Sequence, residues 1–160
     1  MPTNPTKFHN QTPEAQAMLK GVPTTISPEL MQVLMSMGHG DEIVIADGNF
    51  PADSHAERLV RCDGLAGLPV IEGILKFLPV DTFVDDVAIV MQPVDKSATE
   101  PPIWTGFRRA LERAEDREIQ LTLIDRHAFY DRAREAYAIV ATSETALYAN
   151  LILKKGVVAP

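Results

Sequence analysis

Leu30, Val33, Leu34 and Met37 recur at the three- and four-residue spacing of one helical face, with polar positions between them. Ser27-Pro28-Glu29 just ahead predicts where that helix starts. Serine caps, proline fits the first turn, and the carboxylate meets the positive end of the dipole. Gly38 predicts its end. The pattern then changes period. Residues 42–46 form a short apolar run that predicts a buried strand, 47–57 a polar loop, and 58–62 a second short strand. Pro69 begins a second predicted helix, with Val70, Ile74 and Phe77 along one side. Residues 87–91 predict an apolar strand and 95–102, with two prolines, a loop. An amphipathic helix follows over 103–115, its Arg108, Arg109, Glu112 and Arg113 facing solvent. A strand is predicted over 119–124, after which Asp125 caps a helix from Arg126 to about Ala136. Strands over 137–142 and 148–154 complete the series.

Strands separated by helices predict an α/β layered domain with a largely parallel central sheet flanked by helices. Ligands of such sheets gather at the carboxyl ends of the strands. Asp47 and Arg126 each fall just after a predicted strand, which makes them candidates together.

Composition narrows the class. The chain has 160 residues, enough for one domain with a proper core. Residues 1–17, rich in Asn, Thr and Gln, lack the apolar core of a secretory signal and read as a flexible extension to a single domain over 18–160. The net charge is −7 with no lysine or arginine cluster, which argues against a nucleic-acid partner. No apolar run approaches the ~18 residues of a membrane span. The single Cys62 excludes an internal disulfide and a cysteine-rich zinc site, and fits a reducing cytoplasm.

The segment Met37-Gly38-His39-Gly40-Asp41-Glu42 through Asp47 carries the most chemistry. Imidazole exchanges protons near neutral pH, and two flanking glycines leave His39 accessible. The strand after it fixes Asp47 at its far end, where its carboxylate is expected to accept from sugar hydroxyls or to orient the histidine. Each residue also has a plainer reading: His39 as a turn histidine, Asp47 as the cap of an Asp-Gly turn. Arg126 is either a surface charge or a fork of donors for a polyol, and His127 beside it lies on a different helix face. Tyr148 and Asn150, two apart in a predicted strand, share a face and suit sugar hydroxyls, or are the polar edge of a half-buried strand. Asp47, Asn49, His55 and Glu57 are a weaker metal candidate, without a familiar ligand spacing. Neither phosphate-binding glycine motif is present, nor a serine-hydrolase elbow.

These residues together resemble the family of fucose mutarotases and ribose pyranases (FucU and RbsD). The resemblance rests on Met18-Leu19-Lys20-Gly21, Ile26-Ser27-Pro28-Glu29-Leu30, Met37-Gly38-His39-Gly40-Asp41-Glu42-Ile43, Ala46-Asp47 and Phe50-Pro51-Ala52. Later it rests on Arg126, residues 128–133, Ala138-Ile139-Val140, Tyr148, Asn150 and residues 153–157, and so spans about 18–158. The block from Arg126 to Ala138 is more like the fucose branch. The resemblance implies an RbsD-like fold and an isomerase that interconverts the α and β anomers of L-fucose by acid–base ring opening and closure. It implies His39 as the catalytic proton donor, and Asp47, Arg126, Tyr148, Ala149 and Asn150 as sugar-binding residues. It implies neither cofactor nor metal, and rings of five subunits stacked into homodecamers with sites at subunit boundaries. The alternatives are a D-ribose pyranase and a sugar-binding assembly without turnover. Three positions depart from the family pattern: Ala149 stands where glycine is common, Gly48 where alanine is, and His127 where an aromatic is. If position 149 needs a positive φ, alanine there is strained.

Overall fold

The computed structural model describes residues 18–160, so the expected extension over 1–17 lies outside the described residues. Helix α1, Pro28–Ser36, opens as predicted: Ser27 Oγ accepts from Leu30 N–H at 3.1 Å. Strand β1, Glu42–Ala46, follows the glycine turn. The predicted loop over 47–57 contains a short helix, α2, Ala52–His55. One helical turn is too short to show a period, and what seats it is Phe50, anchored in the core just before it. Strand β2 is Leu59–Cys62 and helix α3 is Gly67–Leu75. Helix α3 begins two residues ahead of Pro69, which sits within the first turn where its missing N–H is not needed. Phe77 lies beyond its end and is exposed rather than on the buried side with Val70 and Ile74.

Strand β3, Ala88–Met91, is wholly buried. Helix α4, Ile103–Glu115, buries Trp104, Phe107, Ala110 and Leu111, so both of its large aromatics are core. Strand β4 is only Thr122–Ile124, a short edge strand. Helix α5, Arg126–Glu135, is capped by Asp125, whose Oδ1 accepts from Ala128 N–H at 3.0 Å. Strand β5 is Ala138–Thr142. Strand β6, Leu151–Lys154, starts three residues later than predicted. Tyr148 is in a turn with φ +56°, a left-handed conformation that ends any extended run.

The sheet order is β2-β5-β1-β6-β3-β4. Neighbours β2/β5, β5/β1 and β3/β4 are parallel, while β6 is antiparallel to both β1 and β3. The sheet is therefore largely parallel, as expected, with one reversed strand inside it. Alternation along β1 sorts the layers: Ile43 and Ile45 face one core with α1, α3 and α4, and Val44 and Ala46 face the other with Phe129 and Ala133 of α5. Helices thus cover both faces. The carboxyl ends of β1, β3 and β4 meet the amino end of β6 along one edge of the sheet.

Candidate active site

That edge carries a cleft of about 230 Å³ lined by Asp47, Asn49, Phe50, Met91, Val94, Arg126, Tyr130, Leu147, Tyr148 and Asn150. Four of the five candidate sugar-binding residues, all but Ala149, therefore meet in one place. Asp47 is delivered by the end of β1, Arg126 by the first turn of α5, and Tyr148 and Asn150 by the approach to β6. Asp47 is buried, with each carboxylate oxygen accepting one hydrogen bond and keeping acceptor capacity toward the cleft. Its N–H donates to Asn150 Oδ1 at 2.8 Å, its Oδ2 accepts from Asn150 Nδ2 at 3.0 Å, and its Oδ1 accepts from Asn49 N–H at 2.9 Å. Asn150 thus braces Asp47 as well as lining the cleft.

Tyr148 is not paired with Asn150 by strand alternation. Its left-handed backbone, which costs a non-glycine residue ~1–2 kcal/mol, is held by Trp104 Nε1 donating to its carbonyl at 2.9 Å. The phenol oxygen accepts from Val94 N–H at 3.1 Å, which leaves its own proton to donate into the cleft. Ala149 has no positive φ, so alanine in place of glycine carries no such strain; its methyl group is buried in the core.

Sequence reasoning missed Tyr130, four residues after Arg126 and so on the same face of α5. It missed, too, the packing behind the cleft. His55 packs edge-on against Phe50 and Tyr130, with ring centroids 6.1 and 5.4 Å away. Burial lowers its pKa below the usual histidine value, and Arg134 adds to the effect. Its Nδ1 meets Ser54 Oγ at 2.9 Å, while Nε2 is buried without a partner. His127 is exposed and does not line the cleft. Among the described residues no three His, Cys, Asp or Glu side chains converge as metal ligands, and Glu57 of the weak metal candidate lies outside the cleft.

His39 is elsewhere. It precedes β1 whereas Asp47 follows it, so the five strand residues Glu42–Ala46 separate them by roughly 16 Å at ~3.3 Å per residue. The two residues belong to one rigid unit but sit at opposite ends of it, so Asp47 does not orient the imidazole of its own chain, contrary to the expectation from sequence. The acid beside His39 is Asp81, which the sequence reading did not single out. His39 Nε2 lies 3.2 Å from Asp81 Oδ1, with the imidazole 47% exposed and the carboxylate 4%. Asp81 Oδ1 also accepts from Thr82 N–H at 2.8 Å and Phe83 N–H at 3.1 Å. Burial opposes its charge, but the Phe83 amide, the His39 ring and the Thr82 amide outweigh that and hold the carboxyl below its ordinary range. An ionised Asp81 only accepts hydrogen bonds. Neutral His39 therefore keeps its proton on Nε2 and presents the Nδ1 lone pair.

A wider groove of about 730 Å³, running past Gly40, Glu42, Arg58, Arg132 and Tyr137, lies at this same lower edge. Its two arginines are already engaged. Arg132 bonds Glu42 twice, at 2.6 and 2.9 Å, and Asp86 at 2.7 Å, and Arg58 sits 4.3 Å over the Tyr137 ring. The upper cleft, where carboxylate, guanidinium and phenol converge, suits a small polyol better.

Comparison with known proteins places the chain in a family. A family model described as the RbsD / FucU transport protein family matches residues 20–158. The fucose mutarotase of Bos taurus is 51% identical over 149 residues, covering 89% of this chain and 96% of its own. A fucose mutarotase from Streptococcus pneumoniae, solved in complex with L-fucose, superposes with a TM-score of 0.84 at 47% identity, over 88% of this chain and all of that one. Bacillus subtilis RbsD complexed with D-ribose shares the fold, with a TM-score of 0.61 at 22% identity over 84% of this chain and 95% of that one. A match over nearly the whole described length, on a sheet of the same architecture, makes this chain a member of the RbsD / FucU family.

Proposed function

We propose that this chain is a fucose mutarotase, an isomerase that interconverts the α and β anomers of L-fucose without a cofactor. The observation that carries the reading is 51% identity to a fucose mutarotase across almost the entire chain. The cleft chemistry agrees with it: Asp47 accepts from hydroxyls, Arg126 donates to them, and Val94, Leu147 and Met91 supply an apolar rim.

Mutarotation opens and recloses a cyclic hemiacetal. The proton on the anomeric O1 leaves, the C1–O5 bond breaks, C1=O1 forms, and O5 takes up a proton. Rotation about C1–C2 turns the aldehyde, and the O5 hydroxyl adds to its other face with the proton movements reversed. No atom is gained or lost. His39 Nδ1 relays the proton while Asp81 fixes the ring and balances the imidazolium charge that forms. Tyr148 O–H donates to the oxygen that develops negative charge. A positioned proton carrier of this kind is worth about 10²–10⁴ in rate.

One chain carries these two half-sites at opposite edges of its sheet. The complete site in this reading lies between copies, with His39 and Asp81 of one chain facing the Asp47–Tyr148 cleft of the next. Such a head-to-tail contact gives a ring when its rotation closes, in keeping with the homodecamer that the family resemblance implies. A cytoplasmic location, argued from the lone buried Cys62, belongs to the same proposal.

D-ribose pyranase activity would pass through the same open form. The fucose reading is favoured because the high-identity relatives are named for fucose, while the ribose-bound relative is similar in fold alone. The noncatalytic reading has no use for a histidine whose tautomer is fixed by a buried carboxylate. Anomer-exchange NMR of L-fucose with the purified protein tests the proposal. Exchange well above the spontaneous rate is expected, and its absence overturns the reading.

A further inference from the structure

We infer that Phe83 is a specificity-determining residue that receives the methyl group of a 6-deoxy sugar, an inference that rests on the mutarotase reading above. Phe83 is 73% exposed, yet it is not a loosely placed surface side chain. Its N–H donates to Asp81 Oδ1, the oxygen that also meets His39 Nε2. Its ring centroid lies 5.2 Å from that of the imidazole at an interplanar angle of 54°. Single exposed apolar residues are ordinary on protein surfaces. This one is fixed to the proton carrier through a shared carboxylate, and leaves an aromatic face open beside it.

The chemistry of the substrate says what that face meets. When His39 delivers a proton to O5, the neighbouring atoms of the sugar are C1 and C5. In L-fucose C5 bears a methyl group two bonds from O5, so the methyl lies beside whatever approaches the ring oxygen. An imidazole at O5 brings Phe83 against that side of the sugar. The opposing half-site places its polar groups, Asp47, Arg126 and Tyr148, toward the hydroxyls. The polar half would then read hydroxyl configuration, and the Phe83 half would read the presence of the methyl.

D-Arabinose tests this directly, because it repeats the configuration of L-fucose at C2 to C4 and lacks the methyl. Anomer exchange of both sugars is measured by NMR for the wild type, Phe83→Ala and Phe83→Leu, with assembly size monitored. One methyl in an apolar site is worth roughly tenfold or more, so Phe83→Ala is expected to lower kcat/KM for fucose by about that factor and for D-arabinose by less than about twofold. Phe83→Leu, still apolar, is expected to keep most of the preference. Equal losses for the two sugars, which a purely structural or subunit-contact role would give, overturn the inference. So does a preference for fucose that survives in Phe83→Ala. A wild-type protein that leaves fucose exchange at the spontaneous rate sinks the mutarotase reading itself, which separates the two failures.

Discussion

His39 and Asp81 lie 42 residues apart in sequence and meet through one contact, 3.2 Å between Nε2 and Oδ1. The carboxylate is buried and held by two backbone amides, while the imidazole reaches solvent. The pair therefore has a fixed end and a working end. His39→Ala is expected to remove about 10²–10⁴ of the fucose exchange rate, and Asp81→Asn roughly tenfold to a hundredfold, with fucose affinity kept in both. NMR exchange rates alongside calorimetric titration check this. Wild-type turnover in either variant counts against the assigned roles.

Separation of the half-sites has a mixing consequence. His39→Ala and Asp47→Asn chains are each expected to be impaired alone. In mixed head-to-tail assemblies about a quarter of the sites would pair two intact halves, so activity is regained. Co-refolded mixtures assayed against each parent test it. No regain would mean that each site is built within one chain.

Much of this was legible in the sequence, for reasons that differ by element. Helix α4 matches its predicted bounds because Trp104, Phe107, Ala110 and Leu111 make an unbroken helical period. Asp47 and Arg126 were paired by one rule, that ligands gather where parallel strands end, and they line one cleft. The strand predicted through Tyr148 failed because apolar character continues across a turn whose only mark is a positive φ, which no glycine announces. Asp81 left no signal, since its partner is distant in sequence and an Asp-Thr pair looks like any turn. His39 and Asp47 read as neighbours along the chain, but a strand keeps its two ends apart.

Asp47→Asn also probes the brace. Both carboxylate oxygens accept N–H groups, Oδ2 from Asn150 and Oδ1 from Asn49. An amide turns one acceptor into a donor and leaves a buried N–H facing another. Destabilisation by about 1–3 kcal/mol is expected, together with weaker fucose binding. Urea unfolding and calorimetric titration measure the two effects, and unchanged affinity removes Asp47 from the sugar contact.

Gly156 lies against the backbone that carries Asp81. A β-carbon there would stand 2.8 Å from Asp81 Cα and 2.9 Å from both Asp81 N and Val80 C. Backbone cannot yield as a flexible side chain does. Gly156→Ala is expected to cost about 1–3 kcal/mol in urea unfolding and to lower turnover while fucose affinity persists. A variant as stable as the wild type would show that this contact relaxes freely.

The depressed pKa of Asp81 also fixes a pH dependence. Burial alone would raise it, but the Phe83 amide, the His39 ring and the Thr82 amide hold it below 3.8. A carboxyl more acidic in the folded state stabilises the fold above its unfolded pKa, and that contribution is lost as pH falls through the folded value. The stability difference between wild type and Asp81→Asn should persist above pH 3.8 and close below it. A difference that stays constant through that acid range would show that the charge contributes nothing.

Among the described residues, strand β6 is the one strand that joins the two parallel blocks of the sheet. The Asp47–Asn150 brace it brings spans 103 residues. Until that late segment arrives, β1 and β3 each present a bare apolar edge, the kind that recruits strands from other molecules. Closure over such a distance is slow. Any loosening of β6 therefore bares two apolar edges at once, and variants that weaken β6 are expected to lose yield to aggregation during refolding before they lose activity once folded.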